Sequence, residues 1–159
     1  MAATYKLDRI DRRILRALQA DGRISNQALS DSVALSPSAC LARVRRLEEA
    51  RIIQGYHARL DPFAVDVGLV LYAEVTLRGH SPEELERFER TICELPAVVE
   101  ASHVTGSYDY LLKVVTANMP DWTSIADGLT SAGIGVDRIN TYVVMNKPKF
   151  FVGYPIRDP

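Results

Sequence analysis

ISNQALSDSVALSPSACLARVRRLEEARII, residues 24–53, decides how the front of this chain is read. Ser36 suits a helix N-cap and Pro37 the first helical position, where a missing N–H costs nothing. From that start Cys40, Val44 and Leu47 recur at i, i+4 and i+7, the spacing of one inward helix face. Ser38, Ala42, Arg45 and Arg46 point the other way, with Arg43 on the flank. A shorter helix over residues 25–33 turns Ala28, Leu29 and Val33 toward the same core. Two helices joined by a short turn, the second presenting small and cationic side chains outward, fit a DNA major groove. One arginine-bearing amphipathic helix is by itself no more than a solvated face, so the decision falls to the distribution of charge along the chain.

That distribution is uneven. Residues 1–60 hold 11 Lys+Arg against 6 Asp+Glu, a net +5, whereas residues 61–159 hold 8 against 14, a net −6. The overall charge of −1 conceals a basic front suited to phosphate and an acidic back joined to it. At 159 residues the chain has room for one ordinary domain or two small ones, and 47% hydrophobic with 25% charged residues is ordinary globular composition. No apolar run approaches the roughly 20 residues of a membrane span, and MAATYKLDRIDRR lacks an apolar signal core, so a cytoplasmic protein is expected. Cys40 and Cys93 lie far apart on apolar helix faces and read as reduced, buried and small. His57, His80 and His103 are dispersed without ligand spacing, so no metal site is expected, and His57 reads as a surface strand residue.

Outward from the opening stretch, a helix over residues 9–20 is capped by Asp8 and stopped by a left-handed Gly22, with Leu7, Ile10, Ile14 and Leu18 inward. It closes a three-helix domain over residues 1–60. Ala34 and Arg51 stand at helix ends where glycine would fit better, and a backbone adjustment is expected there. Residues 52–60 suggest a short strand, the wing of a winged helix-turn-helix, and residues 61–68 a linker.

The remainder, 69–159, has its own rhythm. A strand over 69–77 alternates Leu71, Ala73, Val75 and Leu77 with Tyr72, Glu74 and Thr76. Ser81-Pro82-Glu83-Glu84 is a capping box, and its helix turns Leu85, Phe88, Ile92 and Leu95 inward until Pro96. Strands follow at 97–105 and 110–116, with a tight Gly106-Ser107-Tyr108-Asp109 turn between them. A helix over 121–131 buries Trp122, Ile125, Ala126 and Leu129, Gly133 and Gly135 stop it, and a strand over 136–146 closes the order βαββαβ. This predicts an α+β chain: a three-helix, winged helix-turn-helix domain followed by a ferredoxin-like antiparallel sheet with both helices on one face. Tyr142-Val143-Val144-Met145 is apolar on both sides, so a second copy is expected to cover the open sheet face as a homodimer, and the apolar tail 150–156 to join an edge or the partner.

LDRIDRRIL, DGRISNQALSDSV, LSPSACLARVRRLE and IIQGYHARLDP in front, with VTGSYDYLLKV and TYVVM behind, together resemble the Lrp/AsnC (feast/famine) family, nearest to its leucine-responsive branch. The resemblance runs from about Leu7 to Met145. It implies a transcription regulator, not an enzyme, without a cofactor, whose dimers assemble into tetramers or octamers and whose C-terminal domain binds an amino acid. The family's DNA-reading segment falls on 26–45, so Asn26, Ser36, Pro37, Ser38, Arg43, Arg45 and Arg46 are the candidate DNA contacts. Its effector pocket, at the contact between C-terminal domains, falls on Thr105, Gly106, Ser107, Tyr108 and Asp109 with Tyr142, Val143 and Val144. Ser107 departs from the acidic residue common in the leucine-responsive branch.

Chemistry assigns roles within these sets. Arg43 and Arg46 suit guanine O6/N7, Ser36 and Ser38 a phosphate near the helix N-terminus, and Arg45 and Arg23 the phosphate backbone, with an intrahelical Arg45 pair to Glu48 or Glu49 equally weighted. Amides around Gly106 suit an amino acid's carboxylate and Asp109 its ammonium. Val143, Val144 and Leu111 favour an aliphatic or sulfur-containing side chain, such as leucine. The alternatives are a ligand-independent architectural DNA-binding protein and a tetrapyrrole decarboxylase of the same architecture, the latter disfavoured by the lack of an acid/base constellation.

Overall fold

The computed structural model describes residues 5–65 and 68–157. The chain divides into two units: one runs to Arg59 and takes in the tail from Lys149, and the other is Leu60–Pro148.

The first unit holds α1 (Arg9–Ala20), α2 (Asn26–Val33) and α3 (Pro37–Glu49). Asp8 caps α1 in a reciprocal box: its carboxylate accepts from the Asp11 amide at 2.8 Å, and the Asp11 carboxylate accepts from the Asp8 amide at 3.2 Å. Ser25 and Ser36 cap the next two helices, each accepting from the amide three residues on. Ile14, Leu29, Val33, Cys40 and Leu47 form the sealed core, with Leu7, Ile10, Leu18 and Val44 packed around it. Ala34 and Arg51 both adopt left-handed backbone at φ 57°, which lets Leu35 bond back to Ser30 and Ile52 back to Leu47. Neither has a glycine's freedom, so each carries a cost that tight helix closure outweighs.

Several expectations are corrected. Gly22 is not left-handed; Asp21 ends α1 in an extended conformation, and its carboxylate accepts from the Arg23 amide at 2.8 Å. Ser30, not Ala28, fills the α2 interior, because its hydroxyl returns to the Gln27 carbonyl and is satisfied there. Residues 52–60 form no strand: the described sheet is built wholly from the second unit, and an extended segment becomes a strand only against a partner.

Arg43 also turns inward. One guanidinium nitrogen donates to Asp8 at 2.6 Å and to Asp11 at 2.8 Å, and the Asp11 side chain is only 3% exposed. Tyr5 donates to the same Asp11 carboxylate at 3.3 Å. A carboxylate taken out of water must be paired, so α1 captures an arginine of α3.

The second unit is β1 (Leu69–Leu77), α4 (Pro82–Cys93), β2 (Val98–His103), β3 (Tyr110–Thr116), α5 (Met119–Ser131) and β4 (Val136–Val143). The antiparallel order is β2-β3-β1-β4, the ferredoxin-like arrangement. Leu71, Ala73 and Val75 with Leu112 and Val114 meet Phe88 and Ile92 of α4 and Trp122 and Leu129 of α5 on one face. The indole N–H of Trp122 donates to Thr141 at 3.0 Å, tying α5 to β4. α5 begins two residues earlier than the sequence suggests, since Asn118 caps it and Pro120 is tolerated in its first turn. β4 stops at Val143 because its partner β1 begins at Leu69; Val144 makes the last bond, to Val70. Cys93 is exposed, at the solvent side of the α4 C-terminus, contrary to the expectation of burial, whereas Cys40 is sealed.

Two stability effects are expected. Ala34→Gly relieves the left-handed strain and raises stability by about 1 kcal/mol, read from the urea midpoint. Arg43→Met leaves Asp11 without its cation and costs about 3 kcal/mol in the same assay.

Candidate DNA interface and effector loop

The outward face of α3 is built by its own cap. Ser36 accepts from the Ala39 amide at 3.3 Å and shares a hydrogen bond with the Ser38 hydroxyl at 3.2 Å. Ser36, Pro37 and Ser38 are all exposed around this turn, at the positive end of the helix dipole. Arg45 and Arg46 are exposed about two turns beyond Ser38 and have no ion pair among the described residues. The intrahelical pair weighed for Arg45 does not form; Glu48 instead accepts from the Tyr56 hydroxyl at 3.1 Å. Asn26 donates its side-chain amide to the Pro37 carbonyl at 2.9 Å and so braces α2 against the start of α3.

Arg43 does not join this face, because Asp8 and Asp11 hold it, and that pairing raises its pKa further. Sequence reading overlooked Leu41, which is 39% exposed one turn before Arg45, an apolar group suited to a thymine methyl. Its signal was available: it falls outside the 40/44/47 stripe. The unit that carries α3, tail included, has 13 Lys+Arg and 7 Asp+Glu; the other has 6 and 13. The charge division thus coincides with the structural one.

In the second unit Val104–Asp109 is a six-residue loop, wider than the tight turn read from the sequence, and is closed by the Val104 amide donating to the Asp109 carbonyl at 2.8 Å. Thr105, Gly106 and Ser107 are exposed and Tyr108 is half-buried. Gly106 has φ 142°, and nothing lies within 4 Å of where a Cβ would stand, so backbone conformation and not space demands glycine there.

Asp109, expected to serve the ammonium, already has partners within the chain. One carboxylate oxygen accepts from the Leu77 amide at 2.7 Å and the other meets His80 Nε2 at 2.8 Å, while the Asp109 amide donates to the Val75 carbonyl. Burial alone would raise this carboxyl, but the Leu77 amide and the His80 ring outweigh it and hold the pKa below the usual carboxylate value. Asp109 therefore fastens the loop to the end of β1.

Tyr142, Val143 and Val144 lie at the other end of the same strand, opposite Tyr72, Leu71 and Val70. From Leu77 to these positions β1 runs five to seven residues, about 17–23 Å at strand rise. The root of the loop and the Tyr142–Val144 group are thus set apart along β1. Side chains narrow the gap: Tyr142 donates to Glu74 at 3.0 Å, and Asn140 donates to the same carboxylate at 3.4 Å. That hydrogen bond raises the Tyr142 phenol, and Tyr108 is close enough to contribute. Glu74 and His80, which hold Tyr142 and Asp109, were not singled out from the sequence; Glu74 read only as the polar half of an alternating strand and His80 as one of three scattered histidines. No group of three or more His, Cys, Asp or Glu able to hold a metal exists among the described residues.

Comparison with known proteins agrees with both halves. A winged helix-turn-helix DNA-binding profile matches residues 7–54, and the Lrp/AsnC ligand binding domain profile matches residues 70–152. The leucine-responsive regulatory protein of Escherichia coli strain K12 is 44% identical over 143 residues, covering 90% of this chain and 87% of that one. Among solved structures, a transcriptional regulator of Neisseria meningitidis crystallised with L-methionine superposes at TM-score 0.85, with 35% identity and coverage of 94% and 97%. An AsnC family transcriptional regulator from Agrobacterium tumefaciens gives 0.84 and 32% over the same shares. Helix-turn-helix, ferredoxin-like sheet and both sets of relatives converge: the chain belongs to the Lrp/AsnC family of DNA-binding transcription regulators.

Proposed function

We propose that this regulator reads a specific duplex sequence with α3 and that a small amino acid, aliphatic or sulfur-containing, modulates the binding or the assembly that presents it. The observation that carries the DNA half is the outward face of α3, where Arg45 and Arg46 project unpaired beyond the Ser36–Ser38 turn. Arg46 reaches a base edge, Arg45 a phosphate, and Ser36, Pro37 and Ser38 pack at the groove edge, with Asn26 in support. Arg43 is assigned to the fold. Residues 1–60 form the DNA-reading domain, to which the tail from Lys149 returns, 61–68 the linker and 69–148 the sensing and assembly domain, working in the cytoplasm.

For the effector, the exposed amides around Gly106, with Thr105, Ser107 and Tyr108, take the carboxylate. Val143 and Val144 line the side-chain end. Because these groups are separated within one chain, the pocket is completed by a second copy. The open sheet face, with Val70, Tyr72, Leu111 and Tyr142 only partly covered, supports that copy's docking as a homodimer and then a tetramer or octamer. The Neisseria relative was crystallised with L-methionine, so methionine and leucine are the first ligands to test. An amino acid bound between subunits changes their spacing, and with it the spacing of the DNA half-sites they engage. A ligand-independent architectural role is the second reading, and a thermal-shift screen of the twenty amino acids that moves nothing would favour it. The decarboxylase reading does not survive, since the chain is a transcription regulator by family.

Arg46→Ala is expected to weaken operator binding by about 1–3 kcal/mol in gel shift, while L-methionine or L-leucine shifts the unvaried protein's affinity; unchanged affinities in both arms overturn the reading. Asp109 makes a pH prediction. Its folded pKa is depressed, so its contribution is present above the unfolded carboxylate pKa of about 3.9 and is lost as pH falls through the folded value. The urea midpoint of the native chain is expected to drop between pH 6 and pH 3, and the drop should shrink in Asp109→Asn.

A further inference from the structure

The last residues of the chain return to the helical unit and are gripped there by one face of α1. Arg12, Arg16 and Gln19 stand at i, i+4 and i+7 along it. Arg16 donates to the Ile156 carbonyl through two nitrogens, at 2.9 and 3.1 Å. Arg12 donates to the Arg157 carbonyl at 3.1 Å. Gln19 holds Tyr154 at both of its main-chain groups, donating to the carbonyl at 3.1 Å and accepting from the amide. All five bonds go to peptide groups, and Ile156 packs against the three-helix core. Upstream, the Arg59 guanidinium covers the Phe150 ring at 4.2 Å.

Gly153 shows that this fit is specific. Its φ is 127°, and a Cβ there would meet the Gln19 side-chain oxygen at 2.6 Å. Only glycine lets the segment lie this close to α1 in that conformation. Main-chain bonds that supply the grip, a buried side chain that supplies the register, and a glycine at the closest approach are the attributes of an extended-peptide binding site.

We propose that the Arg12–Arg16–Gln19 face of α1 is a peptide seat whose occupant is this chain's own C-terminal segment, 150–157, and that the seat links the sensing unit to the reading unit. The chain passes between the units at Arg59–Leu60 and again at Pro148–Lys149, and Tyr154 is seated ten residues after Val144. A displacement of the β4 end on effector binding is passed along those ten residues to α1, and α1 holds α3 through Asp8, Asp11 and Arg43. This last link rests on the effector reading above; the seat itself does not.

The test uses the full chain carrying Ile156→Asp, which unseats its own tail and leaves the α1 face intact, and a fluorescent peptide of residues 149–159. Anisotropy should report binding at least tenfold tighter than to the unvaried chain, and at least fivefold weaker once Arg16→Ala and Gln19→Ala are added. The full chain carrying Gly153→Ala, with its core untouched, should also accept the peptide better than the unvaried chain. No peptide binding, or binding indifferent to Arg16 and Gln19, overturns the seat. In gel shift, the change in operator affinity that L-methionine or L-leucine produces should fall at least fivefold in the Ile156→Asp chain; a full response there overturns the link. An unvaried chain that answers neither amino acid overturns the effector reading and the link that rests on it, while the peptide titration still decides the seat.

Discussion

Asp11 is a carboxylate with almost no access to water, and the helical unit is organised by the need to satisfy it. Arg43 supplies the cation, the Asp8 amide and Tyr5 hydroxyl supply donors, and Asp8 closes the ring from the other side. Because Asp11 belongs to α1 and Arg43 to α3, meeting this demand fixes the reading helix on the first helix. A hydrophobic stripe alone tolerates sliding; a bonded charge pair in a partly dry site does not. Arg43 is thereby withdrawn from the outer surface of α3, while Arg45 and Arg46 stay exposed on it.

The second unit has a comparable point of attachment in Asp109. Its carboxylate bonds the last amide of β1 and the His80 ring, so the loop that exposes Gly106 hangs from the sheet by a charged, half-buried anchor. The loop tip is left without packing around Gly106. Firm roots and an unpacked tip are consistent with the effector role proposed for this loop, since the tip can adjust without losing its place in the sheet. Across the open face, Glu74 gathers Tyr142 and Asn140, and Lys113 and Arg138 lie on the same face, so a covering subunit must accommodate polar groups among the apolar ones.

The two units are not simply consecutive. The chain leaves the helical unit after Arg59, builds the sheet, and returns to α1, where peptide carbonyls meet Arg12, Arg16 and Gln19. Two of the arginines that swell the basic count of the first sixty residues are thus spent on the protein's own main chain and not on a nucleic acid. Formal charge overstates the surface offered to DNA, and the excess is visible only once these partners are known.

Much of this was legible beforehand, and for a definite reason. Helix and strand periodicity, Ser-Pro caps and charge partition are local or additive properties, so the bounds of α1, α3, β1 and β3 and the βαββαβ order followed from residue spacing alone. Even the left-handed Ala34 and Arg51 could be anticipated, since a helix end calls for that conformation whatever occupies it. Partnership is different. Whether Arg43 faced a guanine or a carboxylate, whether Asp109 bonded Leu77, and where the tail came to rest depend on groups 32 to 145 positions away, and residues 52–60 needed a strand to pair with. Those contacts exist only after the chain has folded, because desolvation, not sequence neighbourhood, sets which polar group must find which partner.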